Sequence, residues 1–107
     1  MWKTTITVTT IDESMPLSQE AAVTIETQSE SIVSDFKASD GAGSRYPAAL
    51  DANGNELPFD REMNSVRSRV FNTEANANAF ASQIQALLAP YSDFITVSTT
   101  VEDIGAV

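Results

Sequence analysis

The 107-residue chain contains no cysteine and no histidine, and its 6 Lys and Arg stand against 15 Asp and Glu, a net charge of -9. Without cysteine there is no disulfide framework, thiolate nucleophile or thiolate metal site; without histidine, a Ser-His-Asp triad and a His-ligated zinc are excluded. The length suits one domain around one core, and the carboxylate excess repels a phosphate backbone, so nucleic acid is not an expected partner.

No apolar run approaches the roughly 20 residues of a membrane span, and the first residues alternate instead of forming an apolar leader. The expectation is a mature, soluble, cytoplasmic chain with no membrane partner, no metal and no cofactor.

Residues 2–11 are rich in β-branched side chains, with Trp2, Thr4, Ile6 and Val8 on one face and Lys3, Thr5, Thr7 and Thr9 on the other. This is the pattern of a half-buried strand with a threonine outer face. Asp12 to Pro16 ends it; Ser14 can cap a following helix and Pro16 fits a first turn.

Residues 17–37 admit two readings. As a helix, Ala22, Ile25, Ser29, Ile32 and Phe36 share a face. As a strand, residues 21–27 alternate at period two and are β-branched in part. The helix is preferred, because the apolar face continues to Phe36 and Asp40-Gly41 makes a natural stop.

Residues 39–44 read as a loop, and Tyr46 to Phe59 as a small hairpin turning at Asn53-Gly54. A second strand follows at 66–71. Val66 and Val70 are assigned inward with Ser68, and Arg67, Arg69 and Phe71 outward. A helix from about Thr73 to Ala89 comes next, capped at Thr73 or Asn72, with Ala77, Phe80, Ala81, Ile84, Leu87 and Leu88 in one stripe and Pro90 at its end. In the last strand Ile95, Val97, Thr99 and Val101 face inward, and Phe94, Thr96, Ser98 and Thr100 outward. Residues 102–107 form a short acidic tail.

The expected fold is α+β: a ferredoxin-like split β-α-β sandwich, an antiparallel sheet with two helices on one face. One domain spans 1–107, with 40–64 as a loop and hairpin insertion.

The open sheet face is the first candidate site. Thr5, Thr7, Thr9, Phe71, Phe94 and Thr96 would form an interface, and two such faces would close a homodimer. Arg67 and Arg69, two apart on a strand, with Tyr46 from the loop, would receive a phosphate or carboxylate ligand. Cross-strand pairing with the many acids weighs against this ligand site. The 66–71 strand lacks the glycines and stacked aromatics of an RNA-reading sheet, which excludes that role.

Asp51, Asn53, Asn55 and Glu62 fall at calcium-loop spacing, but Glu56 stands where that loop needs glycine, and the hairpin reading prevails. Asp12, Glu13, Glu20, Glu26, Glu30, Asp35 and Asp40 make the first forty residues acidic, which suggests either a nucleic-acid mimic or a solvated face. Residues 75–92 carry no charge, so the outward side of the second helix is a neutral amide face. Arg45, Tyr46, Asp51, Asp60 and Arg61 offer acid, base and cation without a defined geometry, so no reaction is named.

The expected function is a non-enzymatic binding or assembly protein that self-associates or binds a protein partner. The alternatives are a small-ligand binder or His/Cys-independent enzyme with a pocket between the sheet and the 40–64 loop, and an acidic nucleic-acid-mimic inhibitor.

Overall fold

The computed structural model describes residues 1–40 and 65–105, without the side chains of Lys37, Ser39, Ser65 and Arg67. The hairpin expected at 46–59, the calcium-loop spacing, Tyr46, Arg45 and Arg61 lie outside the described residues.

The elements run β1 (Trp2–Thr10), α1 (Gln19–Ser39), β2 (Ser65–Phe71), α2 (Glu74–Leu88) and β3 (Ile95–Asp103), with a 3-10 turn at Ala89–Tyr91. The three strands form one antiparallel sheet in the order β2-β1-β3. The chain is therefore α+β, with two helices and a three-stranded sheet among the described residues. No helix among these residues is long and apolar enough to cross a membrane.

The helical reading of residues 17–37 holds. The cap is Ser18, four residues after Ser14; its hydroxyl accepts the Ala21 N–H at 3.1 Å. Ala22, Ile25 and Phe36 are buried, and Ser29 and Ile32 half-buried, on the face that the spacing marks out. At α2, Thr73 is the cap and accepts the Asn76 N–H at 3.1 Å. Ala77, Phe80, Ala81, Ile84 and Leu88 are buried. The α-helix ends at Leu88, and Pro90 sits inside the 3-10 turn that follows.

α2 lies against all three strands, and α1 packs chiefly on α2. One core joins Ile6 and Val8 of β1, Phe71 of β2 and Ile95 of β3 to Ile25 and Phe36 of α1 and the apolar stripe of α2. Thr4 is completely buried at its centre, and its hydroxyl donates to the Ala77 carbonyl at 2.9 Å. That bond gives a buried polar atom its partner and fixes where α2 crosses the sheet.

β2 corrects the sequence reading. Phe71 is not on the outer face: it is 0% exposed and pairs in register with Trp2. It meets Phe36 edge-on at 5.8 Å and Phe80 at 5.1 Å, so one aromatic cluster ties α1, β2 and α2 together. Because strand side chains alternate, this one placement turns over the rest. Val66 and Val70 pair with Thr7 and Lys3 on the outer face, and Val66 is 36% exposed. Arg69 pairs with Thr4, and the backbone of Arg67 with that of Ile6.

β3 runs through Asp103, so Glu102 and Asp103 extend the last strand. The Ile104 N–H then donates to the Met1 carbonyl at 3.1 Å.

Candidate functional site

The sheet face opposite the helices is built in rows. Thr5 lies between Ser68 and Thr100, Thr7 between Val66 and Ser98, and Thr9 beside Thr96. At one end Lys3 lies between Val70 and Glu102. Thr9, Thr96, Ser98 and Thr100 are exposed, and Thr5, Thr7, Ser68 and Val70 half-buried.

The threonines and valines of these rows have restricted χ1 angles and pack well against their neighbours on the pleated surface. Thr5 and Ser68 share a hydrogen bond at 3.2 Å. The Lys3 ammonium lies 3.7 Å from the Glu102 carboxylate, so the only two charged side chains in these rows offset each other.

The other end is apolar. The Ile11 N–H donates to the Phe94 carbonyl at 2.9 Å, which continues the β1–β3 register by one pair. Ile11 is 55% exposed and Phe94 36%. The face thus grades from an ion pair, through hydroxyls flanked by Val66 and Val70, to an Ile-Phe corner. The sequence places Ile11 at the end of the first strand but not in the interface, although it continues the odd-numbered row of Thr5, Thr7 and Thr9.

The structure brings together five of the six expected interface residues: Thr5, Thr7, Thr9, Phe94 and Thr96. Phe71 belongs to the core. The ligand trio is not assembled among the described residues. Tyr46 lies outside them, and Arg69 shares the row of buried Thr4 instead of the open face. Arg69 is half-buried and engaged by neighbours.

A second feature is absent from the sequence reading. Asp40 is 7% exposed and caps α1, its N–H donating to the Phe36 carbonyl. Its carboxylate accepts the Asn72 N–H at 3.0 Å and the Asn76 side-chain amide, while the Asn72 side-chain amide donates to its carbonyl at 3.1 Å. Asp40 therefore clamps the end of α1 to the β2–α2 corner. Among the described residues its donors are backbone and side-chain amides, which makes this a positional contact. No group of three or more acidic residues able to hold a metal occurs among the described residues.

An open cleft of about 410 Å³ lies between α2 and β3, lined by Gln85, Leu88, Ala89, Ser92, Ile95, Thr96 and Val97. Among the described residues it carries no ionisable side chain. Compared with known proteins, the sequence matches no family model and no curated protein, so the functional reading rests on the chain's own surface.

Proposed function

We propose that this chain is a non-enzymatic assembly protein that associates with a second copy of itself through the open sheet face. The framework in this proposal is the ferredoxin-like split β-α-β sandwich. In support, β1 has an antiparallel neighbour on each side in the order β2-β1-β3, the arrangement of strands one, three and four in that sandwich.

The observation that carries the reading is electrostatic. On a chain of net charge -9, this face holds, among the described residues, one mutually offset pair, Lys3–Glu102, and otherwise hydroxyl and apolar groups. Two copies can meet here without bringing unpaired carboxylates together, so the general repulsion between like-charged molecules is least along this approach. The Ile11–Phe94 corner and Val66 supply apolar area for the contact.

Thr7→Lys tests the proposal, because Thr7 sits in the middle of the face beside Val66 and Ser98. The substitution lowers the net negative charge, so nonspecific repulsion falls. The expected result is a loss of association through the face, with the melting temperature of the dilute monomer unchanged. Association as strong as that of the unmodified chain would overturn the assignment of the face.

A further inference from the structure

β3 is at the sheet edge, and among the described residues no segment pairs with its outer side. Two hydrogen bonds fix which of its backbone groups face out. Ile11 N–H donates to Phe94 and Ile104 N–H to Met1, so the even-numbered residues of β3 are the ones bonded to β1. In an antiparallel ladder the intervening residues direct their N–H and C=O the other way. Ile95, Val97, Thr99, Val101 and Asp103 therefore present a regular row of donors and acceptors at the free edge.

Proteins usually blunt such an edge with proline, lysine, a bulge or extreme shortness. β3 has none of these. Its register with β1 is unbroken over nine residues, and its only charges are Glu102 and Asp103 at one end. The surroundings are also neutral: residues 75–101 contain a single charged side chain, Asp93. On so acidic a chain this uncharged strip suits a surface that must meet another copy.

We infer that two copies join by antiparallel pairing of their β3 edges, centred on Thr99, into one six-stranded sheet. Thr99 then lies opposite Thr99 of the second copy, Val97 opposite Val101, and Ile95 opposite Asp103. Each residue with outward N–H and C=O falls on a hydrogen-bonded pair, Val97, Thr99 and Val101 pair among themselves, and no carboxylate meets another. Val101 of the second copy comes beside Val97 at the mouth of the cleft between α2 and β3.

The inference deepens the self-association proposed above and rests on it. Three strands about 4.8 Å apart and about 30 Å long give a face of roughly 400 Å². That is half of the roughly 800 Å² per partner of a standard interface. Edge pairing about a twofold axis perpendicular to the sheet places both open faces on the same side, so the face that one joined pair turns towards the open face of a second pair reaches the standard size.

Amide hydrogen exchange on the full chain at several concentrations is the test. The expected result is that the amides of Val97, Thr99 and Val101 exchange fast when dilute and slow in step with the associated fraction. Those of Thr96, Ser98 and Thr100 stay protected throughout. Thr99→Pro removes the outward N–H together with the hydroxyl that accepts from the Gln85 side-chain amide at 2.6 Å, whereas Thr99→Ala removes the hydroxyl alone; the proline should abolish the concentration dependence at Val97 and Val101, and the alanine should keep it. Association without protection at the odd positions would overturn edge pairing and leave the open-face contact standing. Protection of the odd positions in the dilute monomer would also overturn it, since the edge would then be covered within one chain. A chain that never associates overturns both proposals.

Discussion

Asp40 does more for the fold than its place at a helix end suggests. Its carboxylate and carbonyl together hold Asn72 and Asn76, 32 and 36 residues away. Removing a buried acceptor leaves its donors unsatisfied, at about 1–3 kcal/mol. Asp40→Ala is expected to destabilise the protein by about 2–3 kcal/mol in urea unfolding, and Asn76→Ala by less, because Asn72 keeps its bonds. The sequence shows Asp40 before a glycine and Asn72 before a cap, each with a sufficient local explanation. The contact between them depends on tertiary closure, so neither residue announces it.

A smaller contact gives a pH signature. The Ser14 hydroxyl donates to the Asp12 carboxylate at 2.7 Å and the Ser14 N–H at 2.9 Å, and these bonds hold the Asp12 carboxyl below its ordinary range. A carboxyl whose folded pKa is depressed stabilises the turn above its unfolded pKa, and the contribution is lost as pH falls through the folded value. Ser14→Ala should return the Asp12 titration, followed by carbon NMR, towards the usual carboxylate value.

Elements show where pattern suffices and where it stops. The face of α1 was legible against a competing strand pattern, since five positions at spacings of three and four bury only on a helix. α2 was legible almost residue by residue. β2 was not. Its alternation offers two valines on one side and one phenylalanine with two arginines on the other, and summed hydropathy favours burying the valines.

The aromatic cluster decides otherwise. Phe71 closes against Phe36 and Phe80, which meet each other edge-on at 5.7 Å, and one buried aromatic side chain outweighs the two valines left on the outer face. α2 also touches β2 least of the three strands, so the inner positions of β2 need not all be apolar. Phe80→Ala should cost about 3–5 kcal/mol of stability. Heat or urea unfolding checks this, and a loss below about 1 kcal/mol would show that the cluster does not organise the core.

At the scale of the whole molecule, charge and sheet geometry favour the same contact. The open face was visible in the sequence as alternating threonines, and five of its six named residues are placed there. Its neutral balance depends on Lys3 and Glu102 meeting across β1 and β3, and its apolar corner on Ile11 extending the register to Phe94. Both follow from which strands become neighbours, which a single chain pattern does not specify.

Association through such a face works against the repulsion of two chains of charge -9, so screening should strengthen it. Sedimentation equilibrium of the unmodified chain, at increasing concentration in low and high salt, shows whether two copies associate. Self-association gives a mass that rises above the 11.5 kDa monomer with concentration, and rises earlier in high salt. A mass that stays at the monomer value at every concentration and salt would contradict it.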